Sequence, residues 1–305
     1  MNKKIGYIGL GKMGFNMAER LLGKGYEVVA TDVNPDAVAK IHDAGGVGVA
    51  NATEVLKQLG DEGNRVIWIM VPHQFVGDVV DEMTPHLVAG DIVIDGGNSP
   101  YHESLERGDA LEKIGVQYID AGVSGGPSGA KNGACVMVGG DKASYDKVEE
   151  LFKDISAPDS YKYMGCRGAG HFVKMVHNGI EYGMMESIAE GFNIMKHSDF
   201  DLSMIDVADI YAHNSVITSR LIDWMKEGFE TYGEDLEAVS GSAGASGEGA
   251  WTIKAAEELG IEAHSIQHAL DERVASQKNP SYHGKLVQTM RNMFGGHTGK
   301  TKVTE

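Results

Sequence analysis

Cysteine is nearly absent: the 305-residue chain has two, Cys135 and Cys166. Two cysteines make no disulfide framework and no thiolate metal cluster. Long apolar runs are missing as well. None approaches the ~18 residues of a membrane span, so no membrane segment is expected. Positive charge is scarce, with 27 Lys and Arg against 44 Asp and Glu and a net charge of −17. That balance argues against nucleic acid or an anionic membrane surface as a partner. No HExxH or Cys/His cluster occurs, so no metal site is expected. Met1-Asn2-Lys3-Lys4 runs directly into an apolar segment with no signal-peptide pattern, which implies a cytoplasmic location. Internal repeats and low-complexity tracts are also missing.

What the chain does have is glycine, 41 residues of it, concentrated between apolar runs. Its length allows two domains of ordinary size. The charge is uneven: residues 285–305 carry +3 and the rest −20. A cationic tail on an acidic protein is by default a solvated end, and otherwise a phosphate site.

The N-terminal run at residues 4–9 reads as a buried strand leading into Gly9-Leu10-Gly11-Lys12-Met13-Gly14 and an amphipathic helix. GxGxxG in a strand–turn–helix context points to a dinucleotide site. Gly9 permits the turn, Gly11 admits a pyrophosphate, and Gly14 lets helix and strand pack. The helix N-terminus presents free N–H groups to the phosphate. A second strand at residues 26–31 ends in Asp32, placed to accept hydrogen bonds from an adenosine ribose. Its carboxylate would repel a 2′-phosphate and no Arg follows, so NAD is favoured over NADP. The alternative role for Asp32 is to cap the helix that begins near Pro35.

Strands follow at residues 65–71, 91–95 and 116–120, with helices at 73–86 and 101–114 between them. The pattern predicts a doubly wound, Rossmann-type parallel sheet. Ligands bind beyond the carboxyl ends of such strands, which places Val71, Pro72, His73 and Asn98 at the cofactor. Asn98 equally fits an Asx-turn. The glycine-rich stretch 121–130, with Ser124, Gly125 and Gly126, reads as a loop able to cradle an anion. One more strand (133–139) and helix (141–155) bring the nucleotide-binding domain to residue 164. Residues 165–305 form an all-α domain, with helices expected at 168–197, 202–213, 217–228, 251–259, 264–276 and 282–294. Between them, residues 240–249 are a Gly/Ser-rich linker or a ligand loop. Arg291 and His297 flank a Phe-Gly-Gly stop at the chain's cationic end.

Residues 168–191 hold no proline and read as one long helix. At roughly 100° per residue, Lys174, Asn178 and Glu181 fall within about 60° of one another, with His177 beside them. Phe172, Val173, Met175, Val176, Ile180, Met184 and Met185 surround that stripe, so the helix is expected to be buried. Buried Lys and Glu call for partners or for a function, and a structural ion pair between helices is the plain alternative.

The chain resembles the 6-phosphogluconate dehydrogenase family in its short form. The resemblance spans essentially the whole chain and rests on GLGKMG (9–14), IDGGNS (94–99), GVSGGPSGAKNGACVMVGG (122–140), GHFVKMVHNGIEYG (170–183), GEGAWT (247–252) and RNMFGGH (291–297). It implies Lys174 as general base and Glu181 as general acid. It implies that Asn98, Ser124, Gly125, Gly126, His177 and Asn178 hold a sugar acid. Tyr182, Arg273, Arg291 and His297 would hold its phosphate, the tail residues reaching into a neighbouring subunit of a homodimer or homotetramer. Two departures stand out. The long form has lysines where this chain has Ser246 and Ala250, and NADP-dependent members have Asn then Arg where this chain has Asp32.

The implied chemistry begins with Lys174, kept neutral by burial and by a neighbouring nicotinamide cation, removing the C3 hydroxyl proton. Hydride transfer to NAD gives a β-keto acid that loses CO2 without a metal. Glu181 then protonates C1 of the enediol. The rival activities are a 3-hydroxyacid dehydrogenase for a small unphosphorylated substrate and a non-catalytic dinucleotide sensor.

Overall fold

The computed structural model describes residues 3–60, 63–245 and 247–295. The chain forms two compact units, Met1–Lys174 and Met175–Glu305.

The first unit alternates strand and helix: β1 (Lys4–Ile8), α1 (Lys12–Gly23), β2 (Glu27–Thr31), α2 (Pro35–Asp43), β3 (Val47–Gly48), α3 (Ala52–Leu59), β4 (Val66–Ile69), α4 (Val76–Met83), β5 (Ile92–Asp95), α5 (Tyr101–Glu112), β6 (Gln117–Ser124), α6 (Gly126–Asn132), β7 (Ala134–Gly139), α7 (Lys142–Ile155) and β8 (Ser156–Gly165). The strands form one sheet in the order β3-β2-β1-β4-β5-β6-β7-β8. From β3 to β6 every pairing is parallel. The chain direction of assembly reverses beside β1, the switch point where such sheets bind ligands. Alternate strand residues feed two cores: Tyr7, Trp68 and Ile94 enter one, Ile8, Ile67 and Val93 the other. Burial on both faces explains the unbroken apolar strands.

β3 and α3 were not anticipated from the sequence, and β7 and β8 also depart from it. β7 runs antiparallel to β6. The seven-residue α6 linking them is too short for a parallel crossover, which needs a dozen or more residues. β8, parallel to β7, has no counterpart in the sequence reading. Its Pro158 and its Asp159 at φ 57° interrupt a polar edge segment, and its pairing with β7 carries register shifts.

α8 (Ala169–Lys196) is one 28-residue helix, and the division between the two compact units falls inside it, after Lys174. Its first turn is fastened to the sheet by hydrogen bonds from the Gly168 and His171 N–H groups to Asp120. The second unit continues with α9 (Met204–Ala212), α10 (Arg220–Tyr232), α11 (Glu248–Glu258), α12 (His264–Lys278) and α13 (Tyr282–Gly295). Met185, Phe192, Met225, Phe229, Leu286 and Met290 fill its core. α10 and α13 pack closely because Gly228 faces Thr289, where a Cβ would meet the Thr289 methyl at 2.0 Å.

The expectation that α8 is buried, with Ile180 and Met184 inside, is corrected for part of its surface. Met175, Tyr182, Met185, Ala189 and Phe192 are buried, whereas Ile180 (54% exposed), Met184 (42%) and Ile194 (71%) form an exposed stripe. Those three fall within about 80° of one another on the helix. Among the described residues, no helix is long and apolar enough to cross a membrane.

Candidate active site

The turn from β1 into α1 is built from backbone. Gly9 has φ 98°, and a Cβ there would lie 2.4 Å from the Met70 carbonyl oxygen. A Cβ on Gly14 would lie 2.0 Å from the Gly9 carbonyl oxygen. Gly11, by contrast, has open space where its Cβ would be. It is also the N-cap of α1 and supplies no side-chain cap, and a helix N-terminus suits an anion. Leu10 is buried, and Lys12 and Met13 open the helix. This cradle fits a dinucleotide pyrophosphate.

Asp32 lies at the end of β2. Its Oδ2 accepts from the Leu10 N–H at 2.5 Å and its Oδ1 from the Asn34 N–H at 2.7 Å. The cap of α2 is Asn34, which accepts from the Asp36 N–H, so the capping role weighed for Asp32 is corrected. Val33 beside it is fully exposed. The β4 exit brings Val71 between two glycine turns: a Cβ on Gly9 would meet its Cγ1 at 2.8 Å, and one on Gly97 its carbonyl at 2.9 Å. Pro72 follows, and His73 starts a short 3-10 turn ending at Phe75.

Asn98 is exposed in the loop after β5. Asp95, fully buried, organises that loop: its Oδ1 accepts from the Gly97 N–H at 2.9 Å, and its Oδ2 from Ser99 Oγ at 2.8 Å and Tyr118 OH at 2.9 Å. Burial and the Asp95 charge hold the Tyr118 phenol well above its ordinary pKa, so it stays a donor. Arg107 Nη1 lies 3.6 Å from the same carboxylate. The stretch after β6 is more ordered than the loop expected from its glycines. β6 runs through Ser124, Gly125 takes a left-handed conformation, and α6 starts at Gly126.

Lys174 closes the first unit. It is half-buried, and a Cβ on Gly122 would fall 2.3 Å from the Lys174 Cβ, so β6 and α8 touch there. In the second unit, His177 Nδ1 lies 2.9 Å from Asn178 Oδ1 and 4.0 Å from Glu181 Oε2. The Glu181 side chain is 23% exposed. α11 packs against this stretch: a Cβ on Gly249 would meet the Tyr182 ring at 2.7 Å, and Thr252 Oγ1 lies 2.9 Å from the Met175 carbonyl. α11 therefore begins at Glu248, inside the segment expected as a linker or ligand loop.

Arg273 is 1% exposed, and its guanidinium sits 3.4 Å from the Tyr182 ring centroid. Its Nη1 reaches the Gly244 carbonyl at 3.4 Å. Burial pulls its pKa down to about 10; Tyr182 opposes the shift and the charge of Arg291 adds to it. Arg291 is itself 3% exposed, so the two cations share the interior of one unit of one chain. The Nε atoms of both are buried without a hydrogen-bond partner among the described residues. Two desolvated cations with donors to spare suit a dianion. His297 and Ser246 lie outside the described residues, and Ala250 is exposed on α11.

One further polar group lies nearby: Glu186, Glu190 and His268 have ligand-type atoms within 4.8 Å of one another. Two of its carboxylates lie against histidines, with His283 Nε2 2.6 Å from Glu186 Oε1 and His268 Nε2 3.5 Å from Glu190 Oε1. The first unit thus gathers Gly9–Gly14, Asp32, Val71, the Asn98 loop, Ser124 and Lys174, and the second gathers His177, Asn178, Glu181, Tyr182, Arg273 and Arg291. Asp95 and Asp120 escaped the sequence reading. Their signal was an acidic residue within an otherwise apolar strand.

Comparison with known proteins gives the same outline. Residues 4–168 match the NAD binding domain of 6-phosphogluconate dehydrogenase, and residues 170–283 match the 6-phosphogluconate dehydrogenase C-terminal domain. The chain is 42% identical to the Bacillus subtilis protein YqeC over 299 residues, covering 98% of this chain and 100% of that one. It is 38% identical to the NAD(+)-dependent, decarboxylating 6-phosphogluconate dehydrogenase of Haloferax volcanii, covering 96% and 97%. Among solved structures, Plasmodium falciparum 6-phosphogluconate dehydrogenase superposes with a TM-score of 0.81 at 29% identity, covering 99% of this chain and 66% of that one. The 3-hydroxyisobutyrate dehydrogenase of Mycobacterium tuberculosis shares the fold, with a TM-score of 0.72 at 23% identity, covering 95% and 100%. With a dinucleotide cradle in one unit, a buried cationic pair in the other and matches along nearly its whole length, the chain belongs to the 6-phosphogluconate dehydrogenase family of NAD(P)-dependent dehydrogenases.

Proposed function

We propose that this protein oxidises and decarboxylates 6-phosphogluconate to ribulose 5-phosphate and CO2, with NAD as the preferred oxidant. The observation that carries the choice of substrate is the Arg273–Arg291 pair, buried beside Tyr182 with both Nε atoms unpartnered among the described residues. A phosphate dianion supplies the missing acceptors, and an unphosphorylated hydroxyacid does not. His297 is the further phosphate ligand implied by the family resemblance.

The cradle at Gly9, Gly11 and Gly14, with Asp32, Val71, Pro72, His73 and Asn98, would hold the nicotinamide nucleotide, which accepts hydride from C3 of the substrate. Asn98, Ser124, Gly125, Gly126, His177 and Asn178 orient the sugar acid. Lys174, as a neutral amine, takes the proton of the C3 hydroxyl. The resulting ammonium then donates to the C3 oxygen, stabilising the charge that develops there as the C1 carboxylate leaves as CO2. Glu181 protonates the carbon left behind, which becomes C1 of the product. NAD is favoured because the Asp32 carboxylate offers ribose acceptors and would repel a 2′-phosphate. The exposed Ile180, Met184 and Ile194 stripe supports self-association into a homodimer or homotetramer.

The test is reduced-nucleotide absorbance with 6-phosphogluconate and NAD or NADP in turn, together with capture of released CO2. Turnover of 3-hydroxyisobutyrate in place of 6-phosphogluconate would sink the proposal. Binding of nucleotide with no turnover of either substrate would point instead to a sensor.

A further inference from the structure

We infer that Asp120, acting with Gly122, Gly139 and Gly170, sets the position of the Lys174 amine and is a positioning residue for proton transfer. This rests on the assignment of Lys174 as the base.

Asp120 sits in β6 with no exposed surface. A carboxylate in that setting is costly unless each oxygen is satisfied. Its Oδ1 accepts from the Gly168 N–H at 2.6 Å and its Oδ2 from the His171 N–H at 2.8 Å. These belong to the start of α8, where N–H groups have no carbonyl one turn back to bond. The cap of this helix therefore comes from the sheet, and a negative charge stands at its positive end. A further anchor joins the same turn: His171 Nδ1 lies 2.7 Å from Ser104 Oγ on α5.

The glycines explain how a carboxylate on a strand reaches a helix backbone. A Cβ on Gly170 would lie 2.5 Å from the Met137 carbonyl oxygen and 2.6 Å from that of Asp120. A Cβ on Gly139 would lie 2.6 Å from the Gly170 nitrogen and 2.7 Å from either Asp120 carboxylate oxygen. A Cβ on Gly122 would lie 2.3 Å from the Lys174 Cβ and 2.9 Å from its Cγ. None of the three has a left-handed φ, unlike Gly9 or Gly125, so backbone conformation does not demand glycine there. Proximity does. The last of these contacts falls on the stem of Lys174 itself, which couples the docking to the amine as well as to the fold. A displacement of about 1 Å at a reacting group costs on the order of a hundredfold in rate.

Two variants test this. Asp120→Asn presents one acceptor and one donor to two N–H groups, so one of the two bonds is lost. Gly122→Ala leaves the cap intact and pushes on the Lys174 stem. Each is measured for kcat and KM with 6-phosphogluconate, for NAD affinity as a check on folding, and for acetic anhydride acylation of Lys174 against pH. Acylation is read by peptide mass spectrometry with the exposed Lys57 as internal reference. The expected result is a fall in kcat of about tenfold or more, little change in NAD affinity, and a changed Lys174 acylation profile. Variants that lose only melting temperature, with kcat and acylation unchanged, would overturn the inference. If the wild-type protein does not turn over 6-phosphogluconate, the proposed function fails by itself. The acylation profiles then decide the positioning role: a change upholds it and identical profiles overturn it.

Discussion

Under the proposed function, the two units would bind a phosphate in opposite ways. The first uses backbone: glycines at 9, 11 and 14 clear the space and a helix N-terminus supplies the donors. The second uses side chains: Arg273 and Arg291 are carried into the interior, where burial lowers the Arg273 pKa to about 10. A backbone site depends on the absence of atoms, so added atoms damage it. A side-chain site depends on charge held at a cost, so removal damages it.

Lys174→Met should give the largest effect. Loss of a general base should lower kcat about 10³-fold, while the NAD dissociation constant stays put. Stopped-flow turnover beside NAD titration reads both, and a shift in NAD affinity of similar size would break the separation of roles. Next, Arg273→Met keeps the volume and removes the charge. Loss of charge-assisted hydrogen bonds should raise KM for 6-phosphogluconate roughly 10- to 100-fold with kcat less affected. An unchanged KM would show that the cationic pair does not read phosphate.

The first unit offers a matched pair of variants. Gly14→Ala places a Cβ against the Gly9 carbonyl and should cost about 1–3 kcal/mol of stability. Gly11→Ala meets nothing and should keep its melting temperature while losing NAD affinity. Thermal unfolding with and without NAD separates the two.

The smallest expected effect comes from the His283–Glu186 contact, which raises the His283 pKa above 6.5. A raised folded-state pKa means the contribution is fully present below pH 6.5. It fades as the pH climbs through the folded value. Unfolding by denaturant across that window should show a loss on the order of 1 kcal/mol or less, absent in Glu186→Gln.

Much of the first unit was legible because its constraints are local. Gly9, Gly14 and Asp32 have fixed spacings, and apolar runs of strand length mark a sheet covered on both faces. β8 was not legible, since Pro158 and its polar neighbours look like a loop until β7 is there to pair with. The reversal of β7 follows from the length of α6, but only once both are known to be helix and strand. In the second unit, periodicity identified α8 and its polar stripe. It could not tell which apolar face meets the chain's own core, so Ile180 and Met184 were expected inside. Arg273 carries no local mark at all. Its burial comes from Tyr182 and residue 244, far away in sequence, and it was named only through family resemblance. Asp120 is similar: its two partners lie 48 and 51 residues downstream.

The carboxylate at the end of β2 has a consequence for redesign. Because Asp32, proposed as the ribose acceptor, also ties down the Leu10 amide, a substitution there meant to admit a phosphorylated ribose would also unpin the glycine turn. Changing nucleotide preference in this scaffold is thus a problem for at least two residues, one to welcome the added phosphate and another to re-anchor the strap that Asp32 had been holding.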